Sequence, residues 1–232
     1  MTAPSASAKV RLRFAKRGDL RMVSHHDLMR CLERALRRAE VPMALSQGFN
    51  PRPKVVFPLA LALGIEGRRE VVEVELSEPM EPAELLRRLA DQSPPGLDWL
   101  EAEALGPGRA AQAGAVRYLL EIPADRRDVA RQALSTFLAA ASWPYSRHRP
   151  DRTVEADLRP FVLGADLDAA GILHLRLKMT PNGSARPEEV VEALGLRDLL
   201  GCGAVLARTD VELHDPRNDA DRPDPSTEPS SP

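Results

Sequence analysis

Aromatic residues are scarce in this sequence, 4% of 232 residues. Leucine, valine and alanine therefore have to fill whatever core forms. Cysteine is scarcer still. Cys31 and Cys202 are the only two, far apart and outside any paired motif. That excludes a disulfide scaffold, a cysteine-based zinc site and an iron–sulfur cluster held by this chain alone. Long apolar runs are missing as well. The longest is Val55–Leu63, one proline included, against the roughly 20 residues of a membrane span. The opening MTAPSASAKV has no apolar h-region, so no signal peptide is expected. Nor is there charge of one sign to advertise nucleic acid or membrane, since the formal net charge is −2. The composition points to a reduced, soluble, cytoplasmic protein.

Apolar residues make up 43% of the chain, enough for one large domain or two of about 100 residues each. The near-neutral total hides an asymmetry. Residues 9–60 hold twelve Lys or Arg against four acids, a local excess of eight. A clustered basic face can collect phosphates while the whole protein stays neutral, though a solvated helix face reads the same way. Both ends look unstructured. Residues 1–8 read as a leader, and 215–232 hold five prolines and one apolar residue, too little to offset ordering entropy. The folded part is expected over 9–214.

Periodicity organises that part. Val10–Lys16 alternates apolar and basic, as a half-buried strand does. Ser24–Ala39 reads as a helix with Leu28, Leu32, Ala35, Leu36 and Ala39 on one stripe and Arg30, Arg34 and Arg37 opposite. Ser24 is its natural N-cap, and Asp27 completes a capping box. Lys54–Leu63 and Val71–Leu76 follow as strands around a turn at Gly64–Arg69, then a helix Glu81–Leu89 and a strand Leu97–Ala104. After a Gly/Ala/Pro linker at 106–115 the order recurs: strand Arg117–Ile122, helix Arg126–Ala140, extended Thr153–Val162, strand Gly171–Met179, helix Pro187–Leu194, strand Ala204–Leu213. Each half spells β-α-β-β-α-β. The fold class is α+β, expected as two tandem ferredoxin-like units, 9–105 and 116–214, each an antiparallel sheet with helices on one face. One continuous α+β sheet is the alternative.

The sharpest stretch is Arg13–Gly64, with Lys16–Arg21, Ser24–Leu28, Glu33–Ala39 and the loop Ser46–Lys54 (SQGFNPRPK). Together with Asp157–Pro160, Gly183, Arg186–Glu188 and Arg208–Thr209, these resemble a bacterial family known as radical-SAM-linked or radical-SAM-associated proteins, a domain of unassigned function. Two positions depart from its pattern: His26 stands where an apolar residue is usual, and Arg52 where histidine is common. The resemblance implies a partner rather than a reaction. Its members are encoded beside, or fused to, a radical SAM protein with a cobalamin-binding-type domain. S-adenosylmethionine, an iron–sulfur cluster and a cobalamin-type cofactor are accordingly expected on that partner and none on this chain, which lacks CxxxCxxC.

Residue chemistry nominates two patches. His25 and His26 open the first helix, where the helix dipole opposes protonation and a neutral imidazole could act as a general base. His25 is the stronger catalytic candidate of the two, and half-buried packing is its simpler role. In the loop, Gly48 permits positive φ, Pro51 and Pro53 stiffen the backbone, and Gln47, Phe49, Asn50, Arg52 and Lys54 present amides, a ring and cations. Such a loop suits a phosphate, a base edge or a partner surface. Arg30, Arg34 and Arg37 supply a further binding face. If the long 41–53 segment folds back along the helix, His25, Gln47, Asn50, Arg52 and Lys54 line one concavity. Three readings follow: an accessory or substrate-binding protein for a radical SAM enzyme, an RNA-binding or RNA-processing protein on tandem ferredoxin-like domains, or a structural module without a ligand. No metal site is read in the sequence.

Overall fold

The computed structural model describes residues 8–148, 151–181 and 183–215. Apart from Ala8 and Asp215, the expected leader and tail lie outside the described residues. Strand β1 (Ala8–Lys16) alternates as its sequence dictates, burying Val10, Leu12 and Phe14. Helix α1 (His25–Arg38) starts where expected. The Ser24 hydroxyl accepts the Asp27 N–H at 3.2 Å, and Leu28, Leu32, Ala35 and Leu36 form its buried stripe. Next come β2 (Val55–Val56), β3 (Glu66–Leu76), α2 (Pro82–Asp91, with proline at the start of its first turn) and β4 (Leu97–Leu105). The second half runs through β5 (Gln112–Glu121), α3 (Arg127–Ala139), β6 (Pro144–His148), β7 (Thr153–Asp157), β8 (Val162–Leu167), β9 (Ile172–Lys178), α4 (Pro187–Ala193), α5 (Arg197–Gly201) and β10 (Ala207–His214).

The architecture is α+β, as expected. Strands lie in the order β4-β1-β3-β10-β5-β9-β8, with β2 beside β3, and β6–β7 forms a separate hairpin. All pairings are antiparallel except β3 with β10. That parallel contact, Ala207 opposite Glu66 and Arg208 opposite Gly67, fuses the halves. Where two sheets were expected there is one, because residues read as a turn, 66–69, extend β3 far enough to meet β10.

Other expectations change for similar reasons. The strand expected over Lys54–Leu63 is paired only at Val55 and Val56. Beyond it Pro58 has no N–H to give, and the Ala60 carbonyl accepts from Arg208 at 3.0 Å. Residues 112–115, read as linker, belong to β5, and Gln112, Ala113 and Ala115 pair with the end of β10. The extended stretch Thr153–Val162 is broken by a 3-10 turn at Arg159–Phe161, which separates β7 from β8.

Two buried clusters sit on the helix side of the sheet. One joins Val10, Leu12, Val72 and Val74 to Leu28, Leu32, Leu85 and Leu89. The other joins Val116, Leu120, Leu173 and Leu175 to Leu134, Phe137 and Val190, and it also takes in Leu61, Ile65 and Val71 from the first half. The opposite face of the sheet carries ion pairs. Arg11 meets Glu73 at 2.9 Å, Glu103 at 3.2 Å and Asp215; Arg13 reaches Asp210 at 2.9 Å; Glu212 holds both Arg117 and Arg176. Two of the basic residues of 9–60, Arg11 and Arg13, are thus matched by acids from later in the chain.

Candidate functional site: an exposed arm and a groove at the seam of the sheet

The Ser46–Lys54 loop is the tip of a two-stranded arm. Ala44 donates to the Glu75 carbonyl at 2.8 Å, and Glu75 donates to the Lys54 carbonyl at 3.0 Å. The arm closes further out through Lys54 N–H to Ala44 (3.0 Å), Ser46 N–H to Arg52 (2.8 Å) and Arg52 N–H to the Ser46 hydroxyl (3.0 Å). Gly48 takes φ 136°, a conformation side-chain-bearing residues resist. At the tip Gln47, Asn50 and Arg52 are exposed and Phe49 is 100% exposed. Lys54 is spoken for, pairing with Glu75 at 2.9 Å. On α1, Arg30 approaches Asp27 at 3.5 Å. Arg34 and Arg37 are exposed and form no ion pair among the described residues.

His25 lies elsewhere. Its ring packs edge-on against Phe57, centroids 5.0 Å apart, and Phe57 meets Phe14 at 6.4 Å. Lys54 sits beside Glu75, whereas Phe14 is opposite Glu70, five residues or about 16 Å back along β3. Among the described residues no hydrogen bond or ring contact joins His25 to Gln47, Asn50, Arg52 or Lys54; its contact with that segment is through Phe57, three residues beyond Lys54. His26 is exposed.

What His25 does approach is a buried polar chain that the sequence reading did not assemble. The Glu70 carboxylate takes the Arg208 guanidinium in a two-pronged pair, Nε to Oε1 at 2.8 Å and the second nitrogen to Oε2. Both side chains are about 2–3% exposed. Burial opposes the Arg208 charge, and Glu70 outweighs it so that the net displacement is upward. Tyr118 adds its hydroxyl to Arg208, and burial raises the phenol's pKa. Lys16, fully buried, donates to the Val23 carbonyl at 2.7 Å; burial first, then the Arg208 charge, lower its pKa. The same burial, with Arg208 and Lys16 nearby, lowers that of His25. A neutral His25 is the consequence, and its Nδ1 is buried without a hydrogen-bond partner.

Arg208 and Tyr118 also floor a groove of about 710 Å³, within the range of small-ligand and peptide sites. One wall is residues 145–148 of β6; the others are 59–62 and 184–189. Most of its charges are closed on each other. Arg147 is gripped by both oxygens of Glu189 at 2.7 Å and donates to the Ser184 carbonyl at 2.6 Å. Glu192 accepts from Tyr145 at 2.9 Å and from Arg197 at 2.8 Å. The hairpin that supplies this wall is pinned at its base by Asp157, which accepts the Trp143 and Arg159 N–H groups at 2.7 and 3.0 Å. Of these residues the sequence singled out Arg208, Arg186–Glu188 and Asp157–Pro160, through the resemblance alone. Tyr118, Tyr145, Arg147 and Glu189 gave no local signal. Cys31 is half-buried and Cys202 exposed. No group of three potential metal ligands occurs among the described residues, and no described helix is long and apolar enough to cross a membrane.

Fold and site together define an α+β protein with one ion-paired sheet face, a projecting arm and a groove whose charged groups are mostly paired with one another. The chain belongs to the DUF2344 family, uncharacterized proteins conserved in bacteria, whose model matches residues 9–187. No curated protein matches it.

Proposed function

We propose that this protein is an accessory, substrate-binding protein that works with a separate radical SAM enzyme of the cobalamin-binding type, which supplies the S-adenosylmethionine, the cluster and the corrin chemistry. The observation that carries the reading is Phe49. A phenyl ring fully exposed on a hydrogen-bonded arm loses apolar burial unless another surface covers it. Pro51 and Pro53 hold the arm stiff, which lowers the ordering cost of docking. The pre-paired charges of the groove favour holding a ligand over moving protons. The tie to a radical SAM protein rests on the sequence resemblance of Ser24–Leu28 and Ser46–Lys54.

The test is co-purification of the tagged full chain with the radical SAM protein encoded beside it. Wild type should retain the partner. Phe49→Ala should cost about 2 kcal/mol of binding or more, as truncated aromatic anchors do, with an unchanged melting temperature. Equal retention by Phe49→Ala and by Arg34→Glu would refute the docking role. The RNA reading draws on Arg34 and Arg37, which are exposed and form no ion pair among the described residues. RNA that elutes with the protein and leaves by about 0.5 M salt, indifferent to Phe49→Ala, would favour it instead.

A further inference from the structure

The hairpin β6–β7 stands apart from the main sheet, and β6 has only β7 as a strand neighbour among the described residues. In an antiparallel pair every second residue turns its N–H and C=O away from the partner strand. Along 144–148 no further backbone hydrogen bond takes up that outer edge among the described residues. This edge borders the groove: four consecutive β6 residues, Tyr145–His148, line it. A wall of consecutive strand residues is a wall of main-chain donors and acceptors.

Charge at the mouth narrows the occupant. Glu189 is saturated by Arg147 and by the Arg186 N–H at 2.9 Å, which leaves the Arg186 guanidinium 3.9 Å from it and its side chain 67% exposed. Arg186 thus has its donors to offer. The strand already paired with β6 shows what the hairpin accepts: β7 reads Thr-Val-Glu-Ala-Asp, and its Glu155 receives the Ser146 hydroxyl at 2.8 Å.

We infer that the groove takes an extended segment of another polypeptide, added as a third strand on the free edge of β6, with an acidic side chain on Arg186. Main-chain bonds to β6 supply affinity, and the alternating side chains of the segment supply selectivity. One face of the segment lies over Tyr118 and the Arg208–Glu70 pair. The inference stands independently of which protein docks on the Phe49 arm.

The probe is a fluorescein-labelled, end-capped peptide Thr-Val-Glu-Ala-Asp-Leu, followed by anisotropy with the full chain. An analogue N-methylated at alternate residues keeps every side chain and loses the donors on one edge. Saturable binding is expected, weakened about tenfold or more by N-methylation on one edge and not the other. Arg186→Glu should weaken it about as much, with the melting temperature unchanged. Absence of binding at about 1 mM peptide, or equal affinity for both N-methylated forms, overturns the inference. So does displacement of the peptide by a short single-stranded RNA that itself binds with Arg186-dependent affinity, since the groove would then be a nucleic-acid site.

Discussion

Glu70 and Arg208 are 138 positions apart in sequence, and nothing local to either marks it as half of a buried pair. Removing one partner from such a pair strands a charge in low dielectric, which costs about 3–5 kcal/mol, whereas replacing both with apolar residues is often neutral. Glu70→Gln should therefore lower stability in urea by about that amount, and Glu70→Leu with Arg208→Met should recover most of it. A double variant as unstable as the single one would show that the Ala60 and Tyr118 contacts matter more than the charges. His25 adds a pH dependence of definite sign. Its pKa in the folded chain lies below the ordinary value of 6.5 because burial and the Arg208 and Lys16 charges oppose a proton. As pH falls through about 6.5 the unfolded chain takes up a proton that the folded chain refuses, so stability declines; above that value the contribution is fully present. Wild type should lose more stability than His25→Gln between about pH 7.5 and pH 5, measured by urea midpoints. Parallel pH profiles would remove His25 from this role.

Helix α1 shows how far an element can be legible. Its start, cap and apolar stripe follow from Ser24, Asp27 and the spacing of Leu28, Leu32 and Leu36, all local features. Ser24→Ala should cost about 0.5–2 kcal/mol through the lost cap, read as a lower melting temperature with the fold intact; no change would mean that Asp27 or water replaces it. The arm is legible in part. The two prolines announce a stiff loop and Gly48 a turn with positive φ, yet where its tip lies depends on where β3 receives it, and Glu75 receives it. β6 escaped the reading because Pro144–His148 is short, starts with proline and alternates only weakly; its wall of the groove exists because Arg147 reaches Glu189 and the Ser184 carbonyl from a distant segment.

At the scale of the molecule, the parallel β3–β10 contact and the entry of Leu61, Ile65 and Val71 into the second core join the halves energetically. The two tryptophans fall one to each side: Trp99 against Phe14 at 5.7 Å, Trp143 against Phe137 at 5.0 Å. Trp99→Phe and Trp143→Phe each leave one reporter. In each variant the fluorescence midpoint in urea should coincide with that variant's own midpoint by circular dichroism, as two-state unfolding requires. Separate midpoints would mean that each half unfolds alone and that the shared sheet is a weak seam.

The amino-acid sequence by itself determined the β-α-β-β-α-β element order of the first half, the α+β class, the cap and stripe of α1, the existence of α2, and the stiffness that Pro51 and Pro53 give the Phe49 arm. Each depends on period, propensity or turn chemistry within a few residues. The tertiary structure alone decided that the halves share one sheet, that Arg11 and Arg13 are matched by Glu73, Glu103 and Asp210, that His25 packs on Phe57, and that β6 walls a groove. Those are pairings between strands and side chains far apart in the chain, and strand alternation carries no record of the partner a strand will find.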